Sequence, residues 1–153
     1  MFEMPFDYLH ASDDFFRNQI RSSPGETDST QPQRSLPKIL VVDDERLIAD
    51  TLAEILQMAG FHVMAVYDGR EAVEAAGRFH PDYLLSDVLM PRMNGVELAI
   101  AIRKMYPAPR ILLFSGQAGI SDILLDGQRQ GLEFELLAKP IHPLKLIERL
   151  KEV

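Results

Sequence analysis

Residues 37–45 read PKILVVDDE, and the order of apolar and acidic residues in this stretch decides the fold. KILVV (38–42) is a short apolar run rich in β-branched residues, as expected for a strand that is buried on both faces. Two aspartates follow at once, so acidic side chains stand where this strand ends. Because a strand buried on both faces needs a layer of structure on each side, the stretch favours an α/β fold.

The segments beyond residue 45 alternate between helix and strand patterns. Ile48, Leu52 and Leu56 lie on one face of a helix, which Gly60 ends. Four more apolar runs predict strands, namely HVMAV (62–66), DYLLS (82–86), RILLF (110–114) and FELLA (134–138). Further helices are predicted at residues 69–79, 96–105, 119–130 and 143–153. Strict alternation of this kind predicts a doubly wound, five-stranded parallel sheet with right-handed crossovers.

Residues 1–36 differ in composition from the rest of the chain. Their second half is rich in Ser, Pro, Thr and Gln, which predicts a flexible linker. Their first half carries scattered aromatic residues, for which a short amphipathic helix and a disordered tail are both open; the tail is slightly favoured. We therefore expect a mostly flexible N-terminal extension at 1–36 and a single domain at 37–153.

Composition excludes several classes of protein. The 153 residues carry a net charge of −7 with no clustered basic patch, so direct nucleic-acid binding is not expected. The absence of cysteine excludes a disulfide framework and a thiolate metal site. No apolar run approaches the ~20 residues of a membrane span, and the acidic N-terminus does not resemble a secretory signal. The sequence thus predicts a cytoplasmic protein.

Polar side chains follow four of the predicted strands. Asp43 and Asp44 come after the first strand, Asp87 after the third, Ser115 after the fourth and Lys139 after the fifth. Because ligands of such sheets bind beyond the carboxyl ends of the strands, we expect these side chains to share one crevice.

The chemistry of this set favours a metal-assisted phosphoryl transfer. Neighbouring carboxylates repel one another, and a hard divalent ion such as Mg²⁺ relieves that repulsion with oxygen ligands. A carboxylate can act as a nucleophile and form an acyl phosphate. Mg²⁺ and one lysine can neutralise the charge on the transferring group.

At this point the chain resembles the receiver domains of two-component response regulators. The segments that carry the resemblance are ILVVDDE (39–45), SDVLMPRMNG (86–95), FSG (114–116) and AKP (138–140). The resemblance implies a stand-alone receiver with the flavodoxin-like (βα)5 fold. It also implies a phosphoprotein of a phosphorelay rather than an enzyme in its own right.

The resemblance assigns a role to each residue of the crevice. It makes Asp87 the phosphoacceptor and places Ser115 and Lys139 beside the phosphoryl group, with Lys139 before a cis Pro140. The implied ligands of Mg²⁺ are Asp43, Asp44, Asp87 and the backbone carbonyl of Leu89. The implied phosphodonor is a histidine kinase or phosphotransfer protein. A downstream protein partner is also implied, as is homodimer formation on phosphorylation.

The sequence departs from the family pattern at one position. Many receivers carry an aromatic switch residue three positions before the lysine, where this chain has Leu136. Phe134 lies on the same side of the strand by alternation, and whether it substitutes stays open. Leu89 and Gln117 stand at positions that tune the lifetime of the phosphoryl group in the family.

Two other functions stay open on the sequence. A degenerate receiver that binds partners without phosphorylation would fit the leucine at position 136. A small Mg²⁺-dependent phosphatase with an aspartate nucleophile is less favoured, because such enzymes often place D-x-D after the first strand, where this chain has DD.

Overall fold

The computed structural model describes residues 36–105, 109–116 and 119–152. The strands are β1 (Lys38–Val42), β2 (His62–Val66), β3 (Tyr83–Asp87), β4 (Arg110–Ser115) and β5 (Glu135–Ala138). The helices are α1 (Arg46–Met58), α2 (Gly69–Phe79), α3 (Gly95–Met105), α4 (Ser121–Arg129) and α5 (Pro143–Lys151). The predicted alternation of strand and helix is confirmed. Most of the predicted extension at 1–36, including its candidate helix, lies outside the described residues.

The five strands form one parallel sheet in the order β2-β1-β3-β4-β5. β1 lies between β2 and β3, and Val42 is paired with Ser86. β3 lies between β1 and β4, and Asp87 is paired with Phe114. The last residues of β1, β3 and β4 therefore reach the same edge of the sheet, which is the edge predicted to hold the site.

Two apolar cores cover the two faces of the sheet. One core contains residues of α2 and α3, such as Ala72 and Leu98, and is joined by partly buried Leu124 of α4. The other contains residues of α1 and α5, such as Leu52 and Leu146. The central strands are buried on both faces because each core packs against alternate residues of the same strands. This explains why their sequences are continuous apolar runs.

Some predicted boundaries were wrong by one or a few residues. β3 begins at Tyr83 instead of Asp82, although the Asp82 backbone still bonds to Lys38 and Arg110. The Asp82 carboxylate also accepts a hydrogen bond from the Lys38 N–H at 2.8 Å. α1 begins after Glu45, whose side chain makes no capping hydrogen bond. α4 is shorter than predicted, and Gly127 is its only fully buried residue. No helix among the described residues is long and apolar enough to span a bilayer.

Candidate functional site

Three aspartates meet at the carboxyl ends of β1 and β3. Asp43 and Asp44 follow Val42 directly, and Asp87 is the last residue of the neighbouring β3. The parallel pairing of β1 with β3 therefore brings together residues that are 43 or 44 positions apart in the sequence. One carboxylate oxygen of each aspartate lies within 4.8 Å of the others.

Asp43 is the most deeply buried member of this acidic cluster, with no exposed surface. Its Oδ1 accepts a hydrogen bond from the Glu45 N–H at 2.9 Å. Its Oδ2 has no hydrogen-bond partner among the described residues, and the Lys139 ammonium lies 3.5 Å away. Burial raises the pKa of Asp43 to about 6, although the Glu45 N–H and the charge of Lys139 act in the opposite direction.

Asp87 is nearly buried, with 7% of its surface exposed. Its Oδ2 accepts a hydrogen bond from Lys139 Nζ at 3.2 Å. Burial raises the pKa of Asp87 above its usual value, while Lys139 and the Leu89 N–H favour the ionised form. The side chain is thus a nearly buried carboxylate that is held in place by a cation.

Lys139 follows β5 and reaches back over the sheet. Its N–H donates to the Ser115 carbonyl at 3.1 Å, and its Nζ lies 4.9 Å from the centroid of the Phe114 ring. Burial lowers the pKa of Lys139, but the hydrogen bond to Asp87 and the charge of Asp43 outweigh this effect and raise it overall. The lysine therefore stays protonated. The peptide bond between Lys139 and Pro140 is cis, as the resemblance implied.

The donor set of the acidic cluster fits a hard divalent cation. Three carboxylates face one ammonium group, so the cluster keeps an excess of negative charge. The Oδ2 atom of Asp43 is buried without a hydrogen bond from the described residues, a costly state that a cation would relieve. Oxygen ligands of this kind suit Mg²⁺. Asp44 is exposed, which leaves an open side for water and substrate.

The structure places the other predicted site residues around this cluster. Ser115 is the last residue of β4, one position beyond the Phe114 that pairs with Asp87. Leu89 lies two residues past Asp87, its N–H favours the ionised form of the Asp87 carboxylate, and its side chain is 36% exposed. The proposed contact of the Leu89 carbonyl with a metal stays a prediction.

Position 136 lies on a groove that β5 forms with β4 and α4. Leu136 is 47% exposed, and it lines a groove together with Ser115 and Leu124. Phe134 precedes β5 and packs partly against the core on the α2 and α3 face. Gln117, which was predicted to tune phosphoryl lifetime, lies outside the described residues.

Sequence reasoning did not identify two neighbours of the cluster. The Phe114 ring lies under Lys139, a contact that depends on the pairing of β3 with β4. Gly95 is the first residue of α3. It also lies so close to Asp87 that a β-carbon on it would be 2.3 Å from the Asp87 carbonyl oxygen. A glycine that follows a strand-end aspartate by a few residues is the only sequence signal for this contact.

We expect Gly95→Ala to destabilise the protein by about 2–3 kcal/mol, since the added methyl group meets backbone atoms that have little room to move. Chemical denaturation measures the loss. Gly77→Ala is a matched control, because a β-carbon at Gly77 meets nothing within 4 Å and alanine favours the helix. The control should gain about 0.5–1 kcal/mol. Equal stability of Gly95→Ala and wild type would refute the close approach.

We expect the metal-free protein to lose stability as the pH rises from about 4 to about 6. The folded Asp43 has a pKa of about 6 against 3.8 for an ordinary aspartate, so the folded state binds more protons in this window. The loss from Asp43 is of the order of 3 kcal/mol at most.

Denaturation of wild type and Asp43→Asn at several pH values with a chelator present tests this expectation. The variant keeps an acceptor for the Glu45 N–H but has no carboxyl to titrate, so its pH profile should be flatter. Identical pH profiles of stability for wild type and Asp43→Asn would contradict the raised pKa of Asp43. Adding Mg²⁺ at pH 7 should stabilise the wild type, because a ligand that binds only the folded state adds to its stability.

Comparison with known proteins assigns the chain that carries this site to a family. A family model described as the response regulator receiver domain matches residues 39–151, which include all four strand ends of the site. The solved structure of the chemotaxis protein CheY4 of Vibrio cholerae is similar at 33% identity and a TM-score of 0.69, over 76% of this chain and 98% of that one.

Two further solved structures resemble the chain. A two-component transcriptional regulator AraC from Clostridium phytofermentans is 34% identical with a TM-score of 0.61, over 75% of this chain and 89% of that one. A CheY-like receiver domain protein from Methanospirillum hungatei is 26% identical with a TM-score of 0.69, over 76% of this chain and 92% of that one.

Proposed function

This chain belongs to the response regulator receiver domain family, and on that premise we propose that it is a signalling switch controlled by phosphorylation of Asp87. One observation carries the proposal above all others. Asp87 is a nearly buried carboxylate that accepts a hydrogen bond from Lys139 at 3.2 Å and shares its surroundings with two further aspartates. A structural ion pair would need only one of these acids.

The proposed reaction is a phosphoryl transfer to the Asp87 carboxylate. A carboxylate oxygen attacks the phosphorus atom of a phosphohistidine. The new bond between oxygen and phosphorus forms while the bond between phosphorus and the imidazole nitrogen breaks, and the imidazole leaves with the electron pair. The product is an aspartyl phosphate, and Asp87 is restored when water attacks the same phosphorus atom.

The residues around Asp87 supply the electrostatics of this transfer. Lys139 balances negative charge on the transferring group, and Ser115 donates its hydroxyl hydrogen to a phosphoryl oxygen. Asp43, Asp44, Asp87 and the Leu89 carbonyl would hold Mg²⁺, which supplies further charge neutralisation at the phosphoryl oxygens. The protein acts on itself alone, so it is not an enzyme that turns over an external substrate.

The proposed partners follow from the same chemistry. The donor is a histidine kinase or a phosphotransfer protein that carries a phosphohistidine. The output is a protein–protein interaction that depends on the phosphoryl group, with a downstream protein or with a second copy of the chain. Direct contact with nucleic acid or membrane is not part of the proposal, and the proposed location is the cytoplasm.

Acetyl phosphate provides the direct test, because it is a small donor that needs no kinase. The full chain is incubated with acetyl phosphate and Mg²⁺, and the intact mass is then measured. We expect one added phosphoryl group with Mg²⁺ and almost none with a chelator. Borohydride reduces an aspartyl phosphate to homoserine, so peptide mass spectrometry should find homoserine at position 87. Labelling elsewhere, or labelling that ignores Mg²⁺, would refute the proposal.

Leu136 favours a second candidate, a receiver that binds its partner without phosphorylation. The side chain is 47% exposed at the position where the family often has an aromatic switch residue. This candidate predicts that Asp87→Ala binds a captured partner as tightly as phosphorylated wild type does. Continuous release of phosphate from p-nitrophenyl phosphate would instead indicate the phosphatase alternative.

A further inference from the structure

An ion pair joins two loops that border the acidic cluster. Asp68 lies in the loop between β2 and α2, and its Oδ1 caps α2 by accepting the N–H groups of Arg70 at 2.8 Å and Glu71 at 3.3 Å. Its Oδ2 accepts a hydrogen bond from Arg92 Nη2 at 2.6 Å. Arg92 lies in the loop at residues 88–94 between β3 and α3. Both oxygens of Asp68 are thus engaged, and one of them reaches across to the β3–α3 loop.

A second contact lies beside the ion pair. A β-carbon on Gly69 would be 2.9 Å from the Met93 β-carbon, so the Met93 side chain packs directly on the backbone at Gly69. Adjacent residues of one loop therefore contact adjacent residues of the other. We call Asp68, Gly69, Arg92 and Met93 the loop clamp.

The backbone at Arg92 shows that the clamp constrains the β3–α3 loop. Arg92 has a φ of 69°, a left-handed conformation that is unfavourable for a residue other than glycine. It persists only where surrounding contacts determine it. The contacts that act here are the ion pair to Asp68 and the packing of the next residue on Gly69. Within the loop, the Met93 N–H also donates to the Pro91 carbonyl at 2.8 Å and closes a tight turn around Arg92.

The clamped loop is the one that borders Asp87. It starts directly after Asp87, and the Gly95 N–H closes it by donating to the Val88 carbonyl at 2.8 Å. The Leu89 N–H lies close enough to the Asp87 carboxylate to favour its ionised form and so to lower its pKa. In the proposed function, the Leu89 carbonyl is also a ligand of Mg²⁺. Any movement of this loop therefore displaces a backbone group that contacts Asp87 and another that would contact the cation.

We propose that Asp68 and Arg92 are positioning residues, which hold the β3–α3 loop so that the backbone of Leu89 stays in place beside Asp87 and strengthens Mg²⁺ binding. The inference rests on the proposed function, because it concerns the affinity of that same site. Neither residue was singled out by the sequence. The pair touches neither Asp87 nor the other aspartates in any described contact, so it acts through the loop.

Electrostatics alone predicts the opposite result, which makes the inference testable. Arg92 is a cation on the loop that follows Asp87, so on charge alone its removal would leave more negative potential and tighten Mg²⁺ binding. Loss of loop positioning would weaken Mg²⁺ binding. The sign of the change in affinity separates the two effects.

The experiment measures Mg²⁺ affinity of the full chain by calorimetry for wild type, Arg92→Ala, Arg92→Lys and Arg70→Ala. Arg70 is an exposed neighbour that bonds to Asp68 through its backbone N–H, a bond that alanine can also make. Arg70→Ala therefore removes the same charge without breaking the ion pair between Asp68 and Arg92. We expect Arg92→Ala to bind Mg²⁺ roughly two- to fivefold more weakly, the size that an exposed ion pair supports. Arg92→Lys should recover most of the affinity, and Arg70→Ala should match wild type or bind slightly more tightly.

Amide hydrogen exchange of the metal-free protein gives a readout that does not depend on the cation. Arg92→Ala should exchange faster than wild type at residues 88–94 and equally in β1. Unchanged exchange, or Mg²⁺ affinity equal to or above that of wild type, would overturn the positioning role. If the proposed function is wrong, wild type itself will neither bind Mg²⁺ nor accept a phosphoryl group. The exchange measurement would still test the loop clamp in that case, because it is made on the metal-free protein.

Discussion

Asp87→Asn should abolish labelling by acetyl phosphate, leaving no detectable phosphoryl adduct where wild type carries one. Asparagine has nearly the shape of aspartate but no carboxylate oxygen to attack phosphorus. It also removes one charge from a cluster of three carboxylates, so the variant should fold and be no less stable than wild type. The loss of labelling therefore cannot be attributed to unfolding. Intact mass and thermal unfolding are measured on the same sample.

The matched control for this variant is Asp126→Asn. Asp126 is an exposed residue of α4 that bonds the Gln130 side chain at 3.0 Å, so the substitution has the same chemistry at a distant surface. It should label as wild type does. Persistent labelling of Asp87→Asn would move the phosphoacceptor elsewhere, and Asp43 or Asp44 would then be the residues to substitute next.

Lys139→Met should slow labelling by roughly a hundredfold, the usual effect of removing one preorganised charge from a transition state. Methionine keeps much of the length and apolar surface of lysine, so it can still pack near the Phe114 ring, from which Nζ lies 4.9 Å. The same substitution removes the ammonium that lies 3.2 Å from Asp87 and 3.5 Å from Asp43. Mg²⁺ binding should therefore become tighter while phosphoryl transfer becomes slower.

This divergence of binding and rate is the specific signature of the lysine. A variant that merely damaged the fold would lose both. Lys145→Met, at an exposed position of α5, provides the control and should change neither. The rate is followed by intact mass at several times after acetyl phosphate is added, with saturating Mg²⁺ so that the affinity change does not enter. Equal rates for Lys139→Met and wild type would exclude a role for the lysine in the transfer.

Most of the fold could be predicted because its signals are local. ILVV (39–42) is continuously apolar, and β1 consists of these four residues and Lys38. The acids come directly after such runs, so the parallel arrangement of strands was enough to place Asp43 and Asp87 side by side. α4 was harder to delimit, since Gly127 is its only buried residue and its apolar side chains that pack on the core, Ile123 and Leu124, are only partly buried.

The parts that could not be predicted depend on contacts between distant segments. Asp68 and Arg92 are 24 positions apart, and each has the appearance of an ordinary loop residue in the sequence. Their contact depends on how the loops after β2 and β3, two strands that are separated by β1, approach each other, which apolar periodicity does not encode. The same holds for Gly95, whose closeness to the Asp87 carbonyl is a property of the packed backbone.

The position of Lys139 determines how the site responds to heating. The lysine follows β5, a strand of four residues at the border of the sheet that pairs with β4 alone. Short border strands detach first in local, reversible opening events, while the interior of the sheet stays intact. Such fraying would withdraw the ammonium from an otherwise complete pocket. The capacity to accept a phosphoryl group should therefore disappear at lower temperature than the helical signal does.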